Sequence, residues 1–230
     1  MKSKIQESLN LKIKNVMKKT KIAIMLTLFC LAVSTIKSQS LEDALKNSLA
    51  KFDAAKTEQE MIATSSQFDM ITNKWSDQWA SSFYAAYSKI KVSLKLADKA
   101  KRDQYLDAAN ALLEKADKLS PNNEEVYILS AWSAKARIDI DGKDRWKKFG
   151  EVYDDYIAKA KKINSENPRI FFLEGQGPFY KPKMWGGGKD KAKPYFEKAK
   201  ELFAKEDKSS LLKPYWGEKE NEELLKQCNE

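Results

Sequence analysis

The sequence predicts an all-α protein, a right-handed α-α superhelix of about four helix pairs closed by a C-terminal capping helix. Three observations predict it. Beyond residue 38, helical spacing of apolar residues dominates and the alternation of a strand is almost missing. A pattern of spacing four then three runs through Ala109, Leu113 and Ala116, then Tyr153, Ile157 and Ala160, then Ala192, Phe196 and Ala199. Finally, ADKLSPNNEEVYILSAW (116–132) lies without gaps on AKKINSENPRIFFLEGQ (160–176). Val126 then meets Ile170, Tyr127 meets Phe171, Leu129 meets Leu173 and Ala131 meets Gly175. A period of about 40 residues, each a helix pair with a polar turn, marks a stacked helical array. Alanines on the packing faces let helices approach closely, and the large residue between them fills the gap.

The elements follow in chain order. Met17 opens MKKTKIAIMLTLFCLAVSTIKSQS, a cationic start, an apolar run Ile22–Val33 and then small polar residues. That order is the one expected of a secretory signal peptide, with cleavage after Ser38 or Ser40. The run is shorter than the ~20 residues a bilayer span requires. Residues 1–38 therefore read as an upstream extension and signal peptide with its true start at Met17, and residues 39–230 as one helical repeat domain. Export to the periplasm, or secretion, is the expected destination, with no stable membrane anchor after cleavage. Of the two cysteines, Cys30 lies in the apolar run, leaving Cys228 without an internal partner, either a tail residue with no task or one that pairs between chains.

A first helix over about 41–54 puts Leu41, Ala44, Leu45, Leu49 and Phe52 on one side. The second starts at a capping box, Thr57 with Glu60, and presents Met61, Phe68 and Ile71. The third, about 76–96, carries Trp79, Phe83 and Tyr87 at steps of four, the interval of a buried stripe. Lys89, Lys91 and Lys95 follow it and read as a solvated face. A fourth helix (about 102–119) holds the first alanine pattern. The fifth (122–138) and sixth (143–164) join at Asp141-Gly142. The seventh begins at Asn167-Pro168, a cap followed by proline at the first helical position. The eighth spans 189–205, and residues 218–228 form the cap.

With these residues in view, the chain resembles the tetratricopeptide-repeat family over about residues 57–205. Ala109, Leu113, Ala116 and Pro121, followed by Tyr127 and Ala131, match the family pattern, as do Phe196 and Ala199. The units are longer than that family's, and Tyr153 stands where alanine is expected. The segments GGGKDKAKPYFEKA and KPYWGEKENEELLKQC are similar to those of exported bacterial proteins with such repeats. The resemblance implies a helical solenoid and no particular activity.

Five of the eight glycines lie between Gly175 and Gly188, with Pro178 and Pro182 among them, predicting a connection of about 13 residues between helices seven and eight. Its MWGGGKDK is no phosphate cradle: Lys183 stands where the first glycine belongs, and Asp190 replaces the Ser or Thr after the lysine. Gly186–Gly188 serve the turn, and Pro194 marks a helix start nearby. Phe179, Tyr180, Met184 and Trp185 fit either packing onto helix six or eight or a ligand-binding lip.

Charge excludes less than it first suggests. The formal net charge is +9, but outside residues 1–38 there are 34 basic and 32 acidic residues, so a nucleic-acid partner is not expected. The chain has no histidine, which removes imidazole bases and most zinc sites. The acidic pairs Glu124-Glu125, Asp154-Asp155 and Glu222-Glu223 diverge by about 100° on a helix and read as solvated faces. No catalytic residue, metal site or cofactor is expected, and the protein is not read as an enzyme. The leading expectation is a scaffold binding an unidentified protein or peptide. The alternative is a periplasmic small-molecule binder or transport accessory with a pocket closed by the 179–188 loop.

Overall fold

Nine helices account for the ordered architecture of the described residues: α1 (Leu41–Ala54), α2 (Glu58–Lys74), α3 (Trp79–Ser93), α4 (Lys99–Leu119), α5 (Glu124–Ile138), α6 (Gly142–Ile163), α7 (Pro168–Tyr180), α8 (Lys189–Phe203) and α9 (Glu218–Cys228). The computed structural model describes Met17 and residues 39–230 apart from Tyr215. The expected signal peptide lies outside the described residues but for Met17. Ser40–Glu230 pack as one unit, and within it no strand is formed and no helix is long and apolar enough to cross a membrane.

Side-chain caps start five of the helices. Ser40, Asp98, Asn123 and Asn167 each accept a backbone N–H from the first turn. Thr57 and Glu60 close the predicted capping box. Two boundaries shift. The third helix begins at Trp79, because Ser81 donates its hydroxyl to the carbonyls of Trp75 and Gln78 and ties 75–78 into a turn. The seventh runs on to Tyr180 through Gly175, Gly177 and Pro178, so the connection shrinks to residues 181–188. Pro194 lies inside α8, beyond its first turn, and does not mark the helix start.

The closest helix pairings are the hairpins α3–α4, α5–α6 and α7–α8, with α1–α2 ahead of them and α9 against α8. Helices α3, α5 and α7 also touch in succession, so the first member of each hairpin lines up in one row. Every residue of the alanine pattern is fully or nearly fully buried except Tyr153, which is half-buried. The gap-free overlay is reproduced in burial: Val126 with Ile170 and Leu129 with Leu173 are buried, while Tyr127 and Phe171 are both half-buried. Ala131 and Gly175 are the small members of the same register, and a Cβ on Gly175 would stand 2.6 Å from the Phe196 ring. Packing of the hairpins thus depends on side chains that are small where a neighbouring helix crosses.

The segment after α8 returns to the core. Tyr84 donates its hydroxyl to the Leu211 carbonyl at 2.9 Å, and Trp216 stacks on Trp132 with ring centroids 4.8 Å apart. Gly217 adopts a left-handed φ of 95° immediately before α9, and Asn221 on α9 donates to the Phe196 carbonyl at 2.9 Å. Ring contacts run without a break from Phe68 through Phe52, Tyr87, Trp132, Trp216, Phe172 and Phe196 to Phe179, so the interior is continuous rather than divided into separate repeats.

Candidate functional site

The hairpin row leaves a groove beside α5 and α7. One hollow of ≈ 470 Å³ is walled by Tyr153 of α6, Tyr180 of α7 and Tyr195 of α8, with Lys135 and Asp139 of α5. A second, of ≈ 420 Å³, has Trp132 and Phe172 in its lining, with Lys91 of α3, Lys95 just beyond that helix and Glu220 from α9. Lys135, Asp139, Gln176 and Tyr180 line both, so the two hollows adjoin along these residues. Each volume falls in the range of about 300–1,000 Å³ typical of small-molecule sites.

The chemistry of the groove is aromatic and amphoteric. Tyr180 is 64% exposed, and the Lys135 ammonium stands 5.6 Å from its ring centroid while pairing with Asp139 at 3.1 Å. Burial pushes the Tyr180 phenol above its ordinary range, and the negative charge of Asp139 adds to this. Burial raises the Tyr153 phenol further, helped by Glu174 and Asp154. All of these hydroxyls are neutral at neutral pH. Lys91 pairs with Glu220 at 2.6 Å. Burial opposes the charge on Glu220, but Lys91 outweighs it and holds that carboxyl below its usual range. Nothing here joins a nucleophile to a base. The groove instead offers ring faces and an apolar floor, with three lysines and five carboxylates at its edge, of which Lys91 and Lys135 are already paired with Glu220 and Asp139.

The expected loop residues do not line one hollow, although the Phe179 and Tyr180 rings meet edge to face at 4.9 Å. Phe179 packs on α8, its ring 5.8 Å from Phe196, and only Tyr180 joins the groove. Met184 and Trp185, on a 3₁₀ turn at Lys183–Trp185, are 83% and 65% exposed and line neither hollow. The three glycines after them serve the turn. Gly186 and Gly188 have φ of 85° and 122°, and a Cβ on Gly187 would collide with the Lys181 carbonyl oxygen.

Two surface assignments need correction. Lys89 and Lys91 are not a solvated face but half-buried members of ion pairs with Asp69 and Glu220. Glu125 is buried, unlike its neighbour Glu124, because Arg169 on α7 reaches it at 3.2 Å. Arg169 is wholly buried, also pairs with Glu206, and donates to the Pro214 carbonyl, so one guanidinium ties α5, α7 and the post-α8 segment together. This cluster stands beside a polar hollow of ≈ 600 Å³ formed by the turns at the other end of the hairpins. Divergence of adjacent helix positions was legible in the sequence; the arginine arriving from 44 residues away was not.

Neither a family model nor a curated protein matches the chain. Among solved structures, the HusA haemophore from Porphyromonas gingivalis superposes with a TM-score of 0.71 at 28% identity, covering 82% of this chain and 92% of that one. In fold, this chain is similar to a haemophore. The likeness spans nearly the whole of that structure.

Of the groove residues, sequence reasoning had singled out Tyr180 as a binding candidate and Tyr153 only as a packing position. Lys135, Tyr195 and Gln176 were missed. Tyr153 carried a usable signal, since it is the one large residue at a first position of the repeated pattern. The lysines carried none, being indistinguishable from the many on exposed helix faces.

Proposed function

We propose that the protein is an exported, non-catalytic carrier that captures a tetrapyrrole, haem in the first instance, in the groove beside α5 and α7. The observation that carries this reading is the coincidence of a haemophore-like fold with a groove of aromatic walls and lysine edges. Haem is cargo here. Its ring is flat and apolar and its propionates are anionic, matching Tyr180, Tyr153 and Trp132 on one count and, on the other, Lys95 together with Lys91 and Lys135, which would exchange Glu220 and Asp139 for the propionates. With no histidine in the chain, an iron ligand from the groove would be a phenol oxygen, a ligand haem iron accepts. Because burial raises these phenols, ligation would release a proton, and affinity for haem would rise with pH. The stack that frames the groove we take to be tetratricopeptide-like, on the strength of its matched positions. A protein or peptide scaffold is the weaker reading, since paired hollows of this size accommodate a compact ligand better than a chain.

The test is titration of haemin and of iron-free protoporphyrin into the exported protein, followed by Soret absorbance and quenching of tryptophan emission. Saturable 1:1 binding is expected, weakened about tenfold or more (~1.4 kcal/mol) by Tyr180→Ala and by Lys135→Ala. Equal, pH-independent affinity for both ligands would remove the phenol ligand and leave ring capture. Absence of saturable binding to either would end the reading.

A further inference from the structure

The end of the molecule that bears the 181–188 loop carries features the groove does not use. Successive helices of the hairpins alternate in direction, so the turns α3–α4, α5–α6 and α7–α8 gather at one end. Contacts across them agree: Lys99 reaches Asp141 at 3.0 Å, Arg145 reaches Asp103 at 2.7 Å, and Lys135 lies over Tyr180. Three large apolar side chains project there from two elements. Trp146, in the first turns of α6, is 64% exposed, and Trp185 and Met184 are 65% and 83% exposed. Trp146 stands on a different element from the adjacent Met184 and Trp185.

Charge at this end is unbalanced. Three of its carboxylates are consumed by the fold, Asp103 by Arg137 and Arg145, Asp139 by Lys135 and Asp141 by Lys99, while Asp144 and Asp190 stay exposed and are outnumbered by lysines. Around the tryptophans, Lys143, Lys147, Lys181, Lys189 and Lys191 are exposed and form no ion pair among the described residues. The available cations are therefore lysines, while Arg137 and Arg145 are held in internal pairs. That distinction decides the kind of partner. Protein interfaces favour arginine and deplete lysine. An anionic bilayer recruits lysines as diffuse point charges, and its interface accepts isolated tryptophans at headgroup depth.

We infer that this end docks reversibly on an anionic lipid surface, with Trp146, Met184 and Trp185 entering the headgroup region and the unpaired lysines facing the lipid phosphates. No helix of the described residues spans a membrane, so the attachment is peripheral. The mouth of the groove lies on the same end, through Tyr180 and Asp139, which would hold a ligand next to the bilayer. The inference does not depend on the identity of that ligand.

The experiment is flotation of the ligand-free exported protein with vesicles of phosphatidylcholine alone and of phosphatidylcholine mixed with phosphatidylglycerol. Binding is expected on the mixed vesicles only, lost at high salt, with a blue shift of tryptophan emission. The double variant Trp146→Ala/Trp185→Ala and the triple variant Lys143→Gln/Lys147→Gln/Lys181→Gln should each lose about tenfold or more in partitioning. All five side chains are exposed, so unfolding midpoints and haemin titration of these variants should match the parent. Binding that survives both sets of substitutions would overturn the assignment. So would failure to float with anionic lipid, including the case in which the same lysines prove necessary for cross-linking to an acidic protein.

Discussion

Gly175→Ala is the sharpest perturbation of the packing scheme. A Cβ built on Gly175 stands 2.6 Å and 2.9 Å from Cε1 and Cδ1 of Phe196 and 3.0 Å from Cβ of Tyr195. Phe196 has no room to yield, being fully buried with its ring also against Phe172 and Phe179. Overpacking of this kind costs about 1–3 kcal/mol. Working against it, alanine is favoured over glycine inside a helix by about 0.8–1.0 kcal/mol. Gly150, within α6, supplies the reference, because an added Cβ there meets nothing within 4 Å. Gly150→Ala should therefore gain about 1 kcal/mol while Gly175→Ala loses up to about 2 kcal/mol. The difference between the two variants isolates the clash at about 1–3 kcal/mol. Urea unfolding measures it, read as a change in midpoint at constant slope. Tyr195 forms part of the groove wall, so Gly175→Ala should also weaken haemin binding, which Gly150→Ala should leave alone. Equal stabilities for the two alanine variants would refute the claim that α7 and α8 meet through the missing side chain.

Three further expectations test the same account. Arg169→Met strands the buried Glu125 carboxylate and should cost about 3–5 kcal/mol in urea unfolding, part of it recovered when Glu125→Gln is added; additive losses would show that the two do not act as a pair. The Asp103 carboxyl is held below its usual range chiefly by hydrogen bonds from Arg145, against an opposing effect of burial, with the charges of Arg145 and Arg137 adding to the lowering. A depressed folded-state value means this stability is present above pH ~4 and is lost as pH falls further, so Asp103→Asn should flatten the acid limb of the urea midpoint between about pH 5 and 2. Ala160→Leu and Ala116→Leu each place a large side chain at a fully buried alanine, and differential scanning calorimetry should register a loss of about 1–3 kcal/mol for both.

The fold was legible because it rests on local signals repeated at intervals. Thr57 with Glu60 and Asn167 with Pro168 start their helices as the sequence predicts, since capping is settled within four residues. The matched burial of Val126 with Ile170, and of Leu129 with Leu173, follows from periodicity alone. What stayed hidden was long-range or cooperative. Lys91 finds Glu220 and Arg169 finds Glu125 only after the stack has formed, and no spacing rule connects them. The run through Pro178 was obscured for another reason. Proline is costly inside a helix because it lacks an N–H and crowds the preceding turn, but in the last turn of α7 only a terminal bond is lost, and the Pro178 carbonyl is taken up by the Gly188 N–H at 2.8 Å.

The candidate site is where the repeat is broken. Positions that keep the pattern, such as Ala109, Ala116, Ala160, Ala192 and Ala199, are all buried and are spent on holding one helix against the next. A groove needs the opposite, a place where large polar-tipped rings stand between hairpins without being driven fully inside. Tyr153 occupies a small-residue position and remains half-buried, Tyr195 precedes the fully buried Phe196, and Tyr180 ends α7 where the chain leaves the stack. These three tyrosines come from three different helices, and only the register imposed by the alanines brings them into one wall. Local consistency therefore builds the frame, and the departures from it supply the chemistry, as expected of a fold whose functional positions trade packing for exposure. On this argument Tyr153→Ala is diagnostic: restoring the small residue of the pattern should leave urea stability within about 1 kcal/mol of the parent, because a half-buried ring contributes only part of its burial energy, while haemin affinity falls. A large loss of stability with unchanged binding would return Tyr153 to the core and remove it from the site.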